Sequence, residues 1–205
     1  MIEVELKFEI SSASWPRLEE KLARMHLARR LWNSDTYFDT ATFDLLGQAV
    51  FVRVRNHQRL EFKYNEQAAP AHLHCIERMF SLEPEPPRAQ EMNTLFSQFL
   101  SRWRAADTVH EALHQNGLIE LARIEKRRVE YTSENLVVCV DLVEGLGDFV
   151  EIETQCEEDS DTQQAVARVQ DFAAGFVARQ MRIGYVELWL QKHHPRAYKR
   201  GKYHE

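Results

Sequence analysis

The sequence predicts an α+β fold in which antiparallel strands carry charge on one face and pack helices on the other. Three observations predict it. Many segments alternate apolar and polar residues at the strand period of two. Several are joined by turns short enough for antiparallel neighbours. Stretches of helical spacing stand between and after them, so strands, helices, strands and helices follow in that order.

The first strand lies in EVELK, Glu3 to Lys7, where Glu3, Glu5 and Lys7 share one face and Val4, Leu6 and Phe8 the other. SSASWPRLEEKLARMHL follows as a helix, with serines to cap it, Pro16 in its first turn, and Leu18, Leu22 and Met25 at helical intervals. Strands are expected in SDTYFDT (Ser34 to Thr40), AVFVRVRN (Ala49 to Asn56) and RLEFKYN (Arg59 to Asn65), the last two forming a hairpin. CIERMFSL (Cys75 to Leu82) is a further strand, stopped by Pro84, Pro86 and Pro87. From Arg88 to Asn116 the spacing turns helical, with Met92, Leu95, Phe96, Phe99 and Trp103 on one side, and a second short helix ends at Asn116-Gly117.

Strands return in ARIEKRRVEYT (Ala122 to Thr132), LVVCVDLVEG (Leu136 to Gly145) and GDFVEIETQC (Gly147 to Cys156). Asp159, Ser160 and Asp161 then cap a long amphipathic helix carrying Val166, Val169, Phe172, Phe176 and Val177. YVELWLQKHHP is a shorter helix ended by Pro195, and a basic tail closes the chain.

Composition narrows the function. At 205 residues, 44% hydrophobic and 28% charged, with 7 glycines and 6 prolines, the chain reads as one globular domain, 1–205, without a long linker. A net charge of -6 argues against a general nucleic-acid binder, so any basic site is local. Cys75, Cys139 and Cys156 are an odd number without paired spacing, and no leader pattern precedes Ile2, which points to a reduced, cytoplasmic protein. The apolar runs fall short of the ~20 residues of a membrane helix. His72 with His74, and His193 with His194, lack a nearby third ligand and read as surface histidines rather than a zinc site.

Strand parity gathers the charges. Phe51, Arg53 and Arg55 oppose Val50, Val52 and Val54; Arg59, Glu61 and Lys63 oppose Leu60, Phe62 and Tyr64. Lys126, Arg128 and Glu130 oppose Val129 and Tyr131; Cys139 and Asp141 oppose Val138, Val140 and Leu142; Phe149, Glu151 and Glu153 oppose Val150 and Ile152. On a flat sheet such groups face water. On a sheet curled with helices around its apolar face, they line a lumen. Inward bases suit a polyanion, inward carboxylates suit a hard divalent cation, and a polyphosphate bound with Mg²⁺ needs both.

EVELK, DTYFDT, VFVRVRN, LEFK, IEKRR, VCVD, GLGDFVEIE and PRAY, in this order and over most of the chain, resemble the CYTH or triphosphate tunnel metalloenzyme superfamily, most of all thiamine triphosphatases and their bacterial relatives. The resemblance implies a single CYTH domain built as a closed eight-stranded antiparallel barrel, a tunnel holding a linear triphosphate, with helices packed outside. It implies metal-dependent hydrolysis of the terminal phosphate of thiamine triphosphate or inorganic triphosphate (tripolyphosphate). Glu3, Glu5, Asp141, Glu151 and Glu153 match the carboxylates that hold Mg²⁺ or Mn²⁺, and Lys7, Arg53, Arg55, Lys63, Lys126 and Arg128 match the bases that grip phosphate. Glu3, Glu5 and Lys7 are the expected catalytic set. Phe51 stands in place of a tryptophan that resembling enzymes set against the thiamine ring, and Tyr185 in place of a phosphate-binding lysine, for which Arg182, Lys199 or Lys202 are the candidate substitutes. The implied partner is a small-molecule triphosphate, with no nucleic acid or membrane, on a monomer or homodimer. Two other readings stand beside it: a class IV adenylate cyclase making cyclic AMP from ATP, and a non-catalytic polyphosphate-binding protein. Tyr37 and Asp39 are placed either at the tunnel mouth or in a structural role, Cys139 is a small buried thiol, and the tail from Lys192 to Lys202 is a solvated helix end.

Overall fold

The computed structural model describes residues 2–64, 76–156, 162–176 and 179–204. Among them, nine strands form one antiparallel sheet, with β1 (Ile2–Glu9), β2 (His26–Asp39), β3 (Phe51–Arg55), β4 (Arg59–Tyr64), β5 (Ile76–Ser81), β6 (Ile119–Thr132), β7 (Val137–Val143), β8 (Gly147–Cys156) and β9 (Arg179–Met181). Their order across the sheet is β5-β4-β3-β2-β6-β7-β8-β1-β9. The α+β class agrees with the sequence reading, but two details of the expected barrel do not. The sheet has nine strands rather than eight, and among the described residues its outer strands β5 and β9 share no ladder that would close it. The added strand, β9, spans three residues and pairs with Lys7, Phe8 and Glu9 of β1. So short a segment carries no alternation to read.

The sheet nevertheless curls. Lys63 on β4 reaches Glu5 on β1 at 3.7 Å, although five strands lie between them in the ladder. Only a sheet wrapped around its charged face brings these side chains together.

The apolar face is covered in two places. Helices α2 (Pro86–Phe99) and α3 (Val109–Gln115) bury Met92, Phe96, Ala112 and Leu113 against Val52, Leu60, Phe62 and Phe80 of β3, β4 and β5. Phe96 stacks on Trp103 with ring centroids 4.0 Å apart and meets Phe62 edge-on at 4.5 Å. On the other side, α1 (Trp15–Leu22) and α4 (Thr162–Ala173) bury Leu18, Leu22, Val169 and Ala173 against Phe8, Val138, Val140, Val150 and Ile152. Pro16 opens α1, as its position in the sequence indicates.

The remaining helices behave differently. In α5 (Tyr185–His193) and α6 (Pro195–Tyr198), Tyr185, Val186, Leu190 and Ala197 pack with Tyr37, Ala122, Ile124 and Phe149. Register puts Ile124 on the face of Lys126 and Phe149 on the face of Glu151, so this cluster belongs to the charged side of the sheet. Where that side turns apolar, α5 docks and covers it. The sequence reading found this helix without its docking face.

Candidate active site

Cross-strand register assembles the charged face one pair at a time. Glu5 stands opposite Glu153, and Lys7 opposite Glu151. Glu151 faces Cys139, Arg128 faces Asp141, and Asn33 faces Lys126. Asp35 faces Arg55, Tyr37 faces Arg53, Arg53 faces Glu61, and Phe51 faces Lys63. The curled sheet folds these positions around a cavity of about 260 Å³.

Of the predicted site residues, Glu5, Lys7, Arg53, Arg55, Lys63, Lys126, Arg128, Glu151 and Glu153 line this cavity. Glu3 pairs through its backbone with Gln155, and its side chain lies outside the described residues. Asp141 takes a different place. It is fully buried behind the bases, and its oxygens are occupied by Arg128 Nε (2.7 Å), Arg128 Nη2 (2.6 Å), Lys126 Nζ (3.0 Å) and the Tyr185 hydroxyl (2.9 Å). Asp141, expected from the resemblance as a metal ligand, here serves as a carboxylate that aims two bases; strand parity gives its face but not its depth.

Each base in the cavity is held by an acid. Lys7 Nζ is 2.9 Å from Glu151 Oε1, and Arg128 bonds the other oxygen of Glu151. Arg55 forms a two-pronged pair with Asp35, both contacts at 2.7 Å, and Arg53 donates to Glu61 (2.8 Å) and to the Tyr37 hydroxyl (3.0 Å). Lys63 lies 3.3 Å from Glu77 and 3.7 Å from Glu5. The forks of Arg53, Arg55 and Arg128 are therefore oriented before any ligand arrives, at the cost of burying charge that only this pairing makes tolerable.

The surroundings tune the two central lysines in opposite directions. Burial presses Lys7 down, but Glu151 and Glu5 outweigh it and hold its ammonium above the ordinary lysine range. Burial presses Lys126 down too, and there it wins: Arg128 shares the Asp141 carboxylate and opposes the gain from Glu151 and Asp141. For Glu151, burial alone favours the neutral acid, yet Arg128, Lys7 and Lys126 hold it well below the usual carboxylate range.

Several participants escaped the sequence reading. Asp35 and Glu61 are the acids that fix Arg55 and Arg53, and for Glu61 the sequence indicates the charged face but no role. The Tyr185 ring lies beneath Lys7 Nζ at 4.0 Å and near Lys126 Nζ at 4.9 Å. Tyr185, which the resemblance sets in place of a lysine, therefore meets these bases as an aromatic ring. Arg182, Lys199 and Lys202 are not among the cavity-lining residues, whereas Tyr203 is. Phe51 lines the cavity and packs against the α5 cluster. Tyr37 lines the cavity too, but Asp39 accepts from the backbone N–H of Thr40, Leu45 and Leu46 and shapes the loop after β2. Cys139 is buried, and burial pushes its thiol up, away from the reactive thiolate form. His72, His74 and Cys75 fall outside the described residues, as does the side chain of Cys156.

The donor set suits a hard cation. Among the described residues, no three His, Cys, Asp or Glu side chains gather into a cage. What they offer is the pair Glu5 and Glu153, directly opposed across the ladder. Like charges so placed repel unless a cation intervenes. One or two carboxylates, with the remaining positions left to water and phosphate oxygens, is the usual provision for Mg²⁺, so the residues fit such an ion. Among the described residues, no helix is long and apolar enough to cross a membrane.

A protein-family model described as CYTH domain matches residues 1–176. No curated protein matches the chain. Among solved structures, the chain resembles the PH1819 protein of Pyrococcus horikoshii OT3 with TM-score 0.64 and 22% identity, over 93% of this chain and 99% of that one. It also resembles the Hippeastrum protein HpAC1, described as a candidate adenylyl cyclase with a dominant triphosphatase activity, with TM-score 0.56 and 19% identity, over 93% of this chain and 94% of that one. At these identities the likeness is one of fold.

Proposed function

Because the chain belongs to the CYTH domain family, we propose that it hydrolyses the terminal phosphoanhydride of a triphosphate lying extended in the curled sheet as in a tunnel. The observation that carries this reading is that Lys7, Arg53, Arg55, Lys63, Lys126 and Arg128, from four strands, face one cavity in orientations fixed by acids. Phosphoryl transfer asks a protein chiefly for positioning and charge stabilisation, and these bases supply both. The arginine forks take phosphate oxygens two at a time, while the lysines act as point charges between them.

Glu5 and Glu153, with Glu3 carried over from the sequence motif alone, would hold Mg²⁺ or Mn²⁺. Bound there, the ion supplies charge stabilisation on the phosphate oxygens and acidifies coordinated water. Glu151 is the carboxylate most tightly engaged by Lys7 and Arg128, which suits it to position those bases.

Inorganic triphosphate is the favoured substrate. Phe51 provides a smaller stacking surface than tryptophan, and a bare triphosphate needs the phosphate-binding wall alone. The experiment is incubation with inorganic triphosphate, thiamine triphosphate and ATP, each with Mg²⁺ or Mn²⁺, measuring orthophosphate, pyrophosphate and cyclic AMP. Orthophosphate from inorganic triphosphate is the expected product. Cyclic AMP from ATP as the main product would establish the cyclase reading, and tight binding of all three without turnover would establish the non-catalytic one. The Glu5→Gln variant is expected to bind inorganic triphosphate while turning over ~100-fold or more slowly.

A further inference from the structure

One buried acid in the cavity wall has no part in the pairing just described. Glu187 sits in the first turn of α5, 2% exposed. Its Oε2 accepts the Gly184 backbone N–H at 2.9 Å, whereas its Oε1 is sealed from solvent and has no hydrogen-bond partner among the described residues. Gly184 is needed for this placement, since a Cβ there would stand 2.7 Å from Oε2.

We propose that Glu187 is a substrate-binding residue that turns its sealed oxygen toward the cavity and meets the polyphosphate as a neutral carboxylic acid, donating its O–H to a phosphate oxygen after taking one proton from solvent. The inference rests on the triphosphate reading above.

The charges around Glu187 lead to it. Lys7 of β1 and Lys63 of β4 favour its ionised form, as do the Gly184 N–H and its own backbone N–H; burial overrides them and holds the carboxyl above its ordinary range. Both lysines are already engaged, Lys7 by Glu151 and Lys63 by Glu5 and Glu77. Glu153 of β8 adds a further carboxylate to the same wall. When phosphate oxygens reach Lys7 and Lys63, they bring more negative charge and take up the attraction that had favoured the carboxylate. An ionised Glu187 would then repel the substrate, while a protonated one adds a donor to it. The proton passes from solvent to the carboxyl, and no bond to phosphorus forms or breaks.

The test is titration calorimetry of the protein with inorganic triphosphate in EDTA, which prevents metal-dependent turnover, at about pH 7 in buffers of different ionisation enthalpy. The wild type is expected to take up more protons per ligand than Glu187→Gln, whose amide supplies a donor at every pH and keeps the affinity within about threefold. Equal proton counts in both proteins would overturn the proposal. A Glu187→Gln enzyme that binds normally but loses turnover with Mg²⁺ would overturn it as well, because Glu187 would then act as a base. Failure of inorganic triphosphate to bind the wild type, both in EDTA and with Mg²⁺, would remove the tunnel reading itself. Should Glu187→Gln not fold, isotope-edited infrared spectra of the wild type decide: a protonated-carboxyl C=O band that grows on adding inorganic triphosphate supports the proposal, and its absence overturns it.

Discussion

At Asp141 four hydrogen bonds from three side chains meet on two oxygens, out of reach of solvent. Removing such an acceptor strands Lys126, Arg128 and the Tyr185 hydroxyl together. Asp141→Ala is therefore expected to destabilise the protein by about 3–5 kcal/mol, measured by urea unfolding, and to weaken triphosphate binding through misdirected bases. A loss below about 1 kcal/mol, the size expected of an exposed pair, would mean that these groups find other partners. The residue shows how parity reads and where it stops. Alternation along VCVD places Asp141 on the charged face, but whether a carboxylate on that face looks into a cavity or stands behind an arginine depends on sheet curvature and on neighbours from other strands. For the same reason Glu187 gave no signal. A lone glutamate in YVELWL reads as a solvated helix position until the fold turns that helix inward.

Among the elements, the hairpin β3–β4 and the run β6–β7–β8 were legible because each apolar face alternates cleanly and the turns between them are short. The first half of β2 was not. His26 to Asn33 bear polar and apolar residues without alternation, and it is the ladder to β6, from His26 opposite Thr132 to Asn33 opposite Lys126, that makes them a strand. Helix α3 shows local encoding at its strongest. Thr108 accepts from the Glu111 backbone at 3.2 Å while Glu111 returns a bond to the Thr108 backbone, the reciprocal cap that T-x-x-E specifies. Thr108→Ala is expected to lower stability by ~1 kcal/mol in thermal or urea unfolding. The proposed triphosphate hydrolysis should be unaffected, because α3 packs on the apolar face of the sheet. A change in KM would show that the helical layer and the cavity are coupled.

For the molecule as a whole, buried acids set the response to pH. Glu151, Glu61 and Asp35 all titrate below their ordinary values in the folded state, against burial and because of Arg128 and Lys7, of Arg53 and Arg55, and of Arg55 and Arg53 respectively. Their contribution to stability is complete above the unfolded values of 4.5 and 3.8 and is lost as pH falls through the lower folded values. Glu187 has the opposite sign, its contribution being present below 4.5 and lost as pH rises through its raised folded value. Thermal melting across the acid range is expected to show stability falling below about pH 4.5, with a shallower fall in Glu151→Gln; identical profiles would deny Glu151 this role. Curvature was the whole-molecule property least legible in the sequence. No local pattern encodes the meeting of Lys63 with Glu5, which depends on the summed twist of the strands between them. The pairing of every cavity base with an acid has a further consequence, for arrival rather than for binding. Neutralised at close range, the bases project little field beyond the cavity mouth, and the protein carries a net charge of -6. A polyanion approaching it is not drawn in from a distance. Stopped-flow measurements should find association near the unsteered ~10⁵–10⁶ M⁻¹s⁻¹, and a rate that holds or rises with added salt. A rate falling steeply with salt would reveal an attractive field that these pairs do not leave exposed.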